Sequence, residues 1–271
     1  MFISRLSVII VAGCFGTSLF GHEFWIEPRN YQVESDAALV ADLKNGQKFK
    51  GIDLGWFENR ATRFDLIQGT HVAPVTGRMG DVPAITITGA QGLGVIIHES
   101  TPSRLKYHDW DKFVAFADHK DFPDAAADHL ANGWPQTSFY ESYTRHVKTL
   151  VQFGPSGDGS DSATGMRTEF VALTNPYGTE YAGVLNVLLL DDDTPRADAQ
   201  IEVFEKSPMG DVAIYTQHTD ANGTAMITTK PAHEYLLDAV ILVPHPEAGE
   251  TQKSPLWQSF WAALTFIDPR P

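Results

Sequence analysis

Hydrophobic positions along this chain come in short runs. Alternating or continuously apolar stretches recur at 38–43, 84–88, 95–98, 145–153, 169–173, 184–190, 201–205, 213–217, 224–228, 236–243 and 262–267, separated by clusters of Gly, Pro, Asn and Asp. Pieces this short predict β-strands, and their spacing suits β-sandwiches better than alternating strand–helix units. Only 109–132 reads as helical: Asp109 offers an N-cap, and Pro123 divides the segment in two. The expected fold class is mainly β, two β-sandwich-like parts with a short helical excursion near 109–132.

The first 21 residues follow another pattern. Arg5 precedes a short apolar run over 6–12, and Gly, Cys, Thr and Ser then lead to Gly21. That is the layout of a secretory signal peptide, and the run is far short of the ~20 residues of a spanning helix. The expected destination is the periplasm or the exterior (secreted). Two processing routes fit. Leu19-Phe20-Gly21 supports cleavage before His22, whereas Val11-Ala12-Gly13-Cys14 reads as a lipobox that would acylate Cys14 and anchor the protein in the envelope, at the cost of an unusually short signal. Contact with the membrane is expected only in that lipidated form. Either route removes or blocks the single cysteine, so thiol catalysis and thiolate metal binding drop out.

The stretch 154–165 is rich in Gly, Ser and Asp and has no periodicity, as in a linker or a long loop within one domain. Beyond it a hairpin series runs through the turn Asp220-Ala-Asn-Gly223. The expected organisation is a signal peptide over 1–21, an N-terminal β-rich domain over 22–165 and a C-terminal β-sandwich module over 170–271.

Charge narrows the partners. With 34 acidic against 20 basic side chains the net charge is −14, which argues against nucleic acid. A hydrophobic content of 43% excludes a disordered acidic tail. No nucleophile elbow, His-Glu-x-x-His, phosphate loop or dinucleotide fingerprint is present, so an enzyme is the less favoured class. Ten histidines leave cations among the ligands, bound through nitrogen and oxygen.

Several segments together carry a family resemblance: His22-Glu-Phe-Trp-Ile-Glu-Pro28, Glu141-Ser-Tyr-Thr-Arg-His-Val-Lys-Thr-Leu-Val151, Asn175-Pro-Tyr-Gly178, Thr219-Asp-Ala-Asn-Gly223 and Trp257-Gln-Ser-Phe-Trp-Ala-Ala-Leu-Thr-Phe266. In order and spacing the chain resembles the domain-of-unknown-function 4198 family of exported bacterial proteins, some labelled periplasmic components of cobalt/nickel transport. The resemblance implies a two-part β protein with a transthyretin- or Ig-like C-terminal module. It also implies a role in handling cobalt or nickel; copper joins them on the donor chemistry of His22, and the expected partner is a metal-uptake transporter or an envelope component.

His22 is the position with the most chemical content. Cleavage after Gly21 would give it a free α-amine beside its imidazole, and the two can chelate one divalent transition metal, copper being favoured by intrinsic affinity. His98, at the end of an apolar strand, and His146 are the candidates for a second imidazole. The competing role for His22 is that of a first ordered residue anchored by Phe24 and Trp25. The acidic stretch 107–129 lacks metal-ligand spacing and reads as a solvated helical face. On a strand, Glu141, Tyr143 and Arg145 share one face while His146 and Lys148 share the other. Tyr143 and Arg145 could bind a carboxylate, sulfate or sugar oxygen, or Arg145 could pair structurally with Glu141 or Glu169. Three functional readings follow: a periplasmic transition-metal binder, a non-enzymatic envelope module recognising glycan or protein, and a mononuclear copper oxidase.

Overall fold

The computed structural model describes residues 21–155 and 157–271. Cys14 and all of the expected signal peptide except Gly21 lie outside the described residues. In chain order the strands are β1 (Glu23–Pro28), β2 (Gln32–Val33), β3 (Leu39–Gln47), β4 (Lys50–Leu54), β5 (Ala61–Gln68), β6 (His71–Pro74), β7 (Ile85–Ile87), β8 (Gly92–Ser100) and β9 (Ser103–Tyr107). Helices α1 (Trp110–His119) and α2 (Ala125–Ala131) come next. The remaining strands are β10 (Phe139–Phe153), β11 (Thr168–Ala172), β12 (Val184–Asp191), β13 (Thr194–Pro195), β14 (Gln200–Lys206), β15 (Val212–His218), β16 (Thr224–Thr228), β17 (Glu234–Pro244) and β18 (Trp257–Ile267).

The backbone of the molecule is a ten-stranded sheet in the order β15-β14-β17-β18-β10-β8-β5-β6, with β2 and β9 also pairing to β10. A sheet of β1, β3, β4 and β7 packs on one face, and a sheet of β11, β12, β13 and β16 packs on the other. Side-chain parity shows this sandwiching directly. Val95, Ile97, Leu150, Leu237 and Leu264 join one core, while Ile96, Val147, Val151, Leu236 and Ala263 join the opposite one. Covering both faces explains why β8, the second half of β10, β17 and β18 are buried almost without a break rather than at alternate positions.

The segments expected as separate domains share this sheet. β10 and β18 run parallel in register from Glu141↔Trp257 to Thr149↔Thr265, joining the middle of the chain to its end. The 154–165 segment is a loop of this shared body, because it carries Asp161 into the interior. Asp161 accepts hydrogen bonds from the backbone N–H of Ser162 and Ala172 (2.8 Å each) and from Lys148 Nζ (3.1 Å), which also pairs with Glu169 at 2.7 Å. The helical excursion forms as expected. Asp109 accepts from Asp111 N–H at 3.1 Å as N-cap, and the chain turns at Phe122–Pro123. Phe113, Phe116 and Ala117 of α1 are buried against Trp257 and Trp261, and the acidic positions 109, 111, 118, 121, 124 and 128 are exposed.

Candidate functional site

Strand parity also decides which candidate residues meet. Glu141, Tyr143 and Arg145 emerge from β10 on the face shared with Val147, toward the sheet of β1 and β3 and toward α1. Two neighbouring cavities lie there, of about 310 and 340 Å³, and Asn45, Tyr143 and Arg145 border both. That size suits small-molecule ligands.

The first cavity opens between β9, α1 and the start of β1. His22, His108, Asp109, Lys106 and Lys112 border it, over Phe116 and Trp261. His22 is exposed but held in place: Arg145 Nη2 donates to the His22 carbonyl at 2.6 Å. The preceding Gly21 lies on the indole, and a Cβ there would fall 2.6 Å from Trp261 Cη2, so a larger residue would not fit. Glu141, beneath the cavity, accepts from Tyr107 Oη at 2.8 Å and from Ser259 Oγ, and burial raises its pKa above the ordinary carboxylate range. Glu23 is pushed to about 8, by burial first and by the charge of Asp238 second.

Arg145 is the hinge between the cavities. Its guanidinium stands 3.8 Å from the Trp261 ring centroid and 5.2 Å from that of Tyr143. Neither expected carboxylate pairs with it, since Glu141 is taken by Tyr107 and Ser259 and Glu169 by Lys148 and the backbone of 164–166. Among the described residues no carboxylate lies within 4.0 Å of it, and burial lowers its pKa.

The second cavity is bordered by Phe24, Phe57, Arg60, Phe64, His98 and Ser100, with Thr101 and Ser103 at its side. His98 is buried, its ring 5.1 Å from that of Phe24 and 4.9 Å from that of Phe64, and burial pulls its pKa down to about 4. Three residues on this cavity hold buried polar atoms without a partner: Asn45 Oδ1, His98 Nδ1 and Arg145 Nη1. Each such atom costs about 1–3 kcal/mol when left unsatisfied, so a water or a polar ligand group is favoured beside them.

His146 does not reach this site. It projects to the other face of the large sheet, where burial lowers its pKa to about 4 and its ring packs 6.2 Å from that of Phe260. β10 therefore lies between His22 and His146. His98 borders the second cavity and His22 the first, so neither imidazole expected beside His22 shares its cavity. The imidazole that does is His108, one residue before the α1 cap. Among the described residues no three His, Cys, Asp or Glu side chains gather as a metal centre. Asn45, Arg60 and Ser100 carry no motif; the sheet registers bring Asn45 and Ser100 to the site, and the short helical turn 58–60 before β5 brings Arg60.

A family profile described as a domain of unknown function, DUF4198, matches residues 19–242. The chain belongs to the DUF4198 family. Its match begins just before His22 and takes in both cavities up to β17, leaving Trp261 beyond it. Curated proteins give no match. Among solved structures the chain is similar to the D0-D1 domain of intimin, at 12% identity and a TM-score of 0.21 over 89% of this chain and 96% of that one. A second similar structure is a tetra-tandem repeat in the extending region of a large adhesion protein, at 10% identity and a TM-score of 0.20, covering 92% of this chain and 50% of that one. Neither likeness extends to a ligand. Among the described residues no helix is long and apolar enough to cross a membrane.

Proposed function

We propose that the mature protein is a periplasmic binding protein for a divalent transition metal, nickel, cobalt or copper, which it passes to uptake machinery. The metal is held at the mouth of the first cavity by the α-amine and imidazole of His22, with His108 as second imidazole. The observation that carries this reading is that both imidazoles border one cavity and are exposed, while Arg145 fixes the His22 backbone there. The donor set suits a borderline or late first-row ion. Lys106 and Lys112 on the same rim oppose a bare cation, so binding depends on coordination by nitrogen and not on an acidic field. His98 and His146 take no part, being buried away from that rim.

The test is calorimetric titration of Cu(II), Ni(II) and Co(II) into exported protein whose intact mass shows that it begins at His22. The expected Kd is about micromolar or tighter, roughly −8 kcal/mol. His22→Ala and His108→Ala should each weaken it at least about tenfold, a loss of ~1.4 kcal/mol. Acetylation of the His22 α-amine should have the same effect by removing that donor. Unchanged affinity in these variants, or a mature form lipidated at Cys14, discards the reading.

A further inference from the structure

The second cavity has a chemistry of its own, independent of any metal. In a chain of net charge −14, its border contains no Asp or Glu and two arginines, Arg60 and Arg145. Arg60 is exposed at the rim with its guanidinium 4.8 Å from the Phe57 ring centroid, and among the described residues no carboxylate lies within 4.0 Å of it. Arg145 lies deeper and has no carboxylate within 4.0 Å among the described residues. Around them are the unpartnered Arg145 Nη1, His98 Nδ1 and Asn45 Oδ1, and the body of the cavity is aromatic, from Phe24 and Phe64. A guanidinium paired with planar oxygens, above an apolar floor, is the arrangement that recognises a carboxylate on a compact apolar body.

We infer that this cavity is a binding site for a small organic carboxylate with an aromatic or apolar body. The carboxylate pairs directly with Arg145, which otherwise feels only the more distant charges of Asp238, Glu141 and Glu23, and with Arg60; His98 Nδ1–H is a further donor, and the body lies against Phe24 and Phe64. A bare inorganic anion would leave the aromatic floor unfilled, and a neutral aromatic would leave the arginines unpaired.

Benzoate is the minimal probe, titrated by ligand-observed NMR and calorimetry into metal-free, chelator-treated full-length mature protein, with benzamide and sulfate as controls. Benzoate should bind with a Kd below roughly 1 mM, benzamide and sulfate at least about tenfold more weakly. Arg60→Gln, at an exposed position whose loss leaves folding intact, should weaken benzoate about three- to tenfold, and Arg145→Gln should abolish binding while a thermal melt shows the fold retained. If Arg145→Gln does not fold, Arg60→Gln decides. Benzamide equal to benzoate, no binding at 10 mM (about 2.7 kcal/mol of affinity at most), or an Arg60→Gln protein that binds like the parent overturns the inference. Because metal is absent throughout, failure here leaves the metal reading standing, and failure of the metal titration leaves this one.

Discussion

Arg145 and His146 are adjacent in sequence and lead separate lives, one facing the cavities and the other the opposite core. The alternation of a strand dictates this, and it was legible before any coordinates: Glu141, Tyr143 and Arg145 on one side, His146 and Lys148 on the other. What the sequence could not reveal is that both sides are interior, which is why His146 looked available to His22. His146 is also where acid should act. Burial holds its pKa near 4, below the ordinary 6.5, so its contribution to stability is complete above pH 6.5 and is lost as pH falls through 4. A His146→Leu variant should therefore lose less stability than the parent between pH 7 and pH 4, by an amount on the order of 3 kcal/mol. Urea titrations at the two pH values measure it, and parallel losses in parent and variant would refute it.

At the scale of elements, α1 is docked by electrostatics as well as by aromatic rings. Lys120, at its C-terminal end, is 3% exposed and reaches Glu202 at 2.7 Å and Asp238 at 2.8 Å. Burial pushes Glu202 upward, but the His119 hydrogen bond and the Lys120 charge hold it near 2. Lys120→Met would strand two carboxylates in the interior and should cost about 3–5 kcal/mol in equilibrium unfolding. Adding Glu202→Gln and Asp238→Asn should recover most of that loss. Equal stability of Lys120→Met and the parent would show the triad to be energetically idle. Both helix pieces and the Asp109 cap were readable because amphipathic spacing and a breaker at Pro123 coincide. The apolar strands were readable too, but β1, β4, β5, β6 and β9 were not. β5, for instance, carries Arg63 and Asp65 among its apolar residues and is largely half-buried, so neither alternation nor a continuous apolar run stands out. Since β9 supplies Leu105, Lys106 and Tyr107 to the first cavity and Ser103 to the second, and β1 and β5 supply Phe24 and Phe64 to the second, the site was harder to see than the fold.

For the whole molecule, the decisive fact is the β10–β18 pairing. It joins the two halves in one sheet, with a core that draws on both: Tyr31, Val95 and Leu150 pack with Phe170, Leu237 and Leu264. A fragment of residues 22–165 alone should show no cooperative thermal transition and no dispersed amide spectrum, because β10 would lose its partner along nine residue pairs. An independently folded 22–165 fragment would contradict this. Sequence reading located the Gly/Ser/Asp stretch correctly but could not tell a tether from a loop. Asp161 is what distinguishes them, and a lone Asp in a polar stretch gives no sign that it is bound for the interior.

The same pairing has a temporal side. Strand β18 sits between β17 and β10, at the centre of the large sheet, yet all the strands from β11 to β17 separate it from its parallel partner β10 in chain order. Until 257–267 has emerged, the nascent polypeptide cannot join β10 to β17, and the non-local contacts that close the main sheet come late. Translation thus delivers a chain whose main sheet stays open until β18 is made.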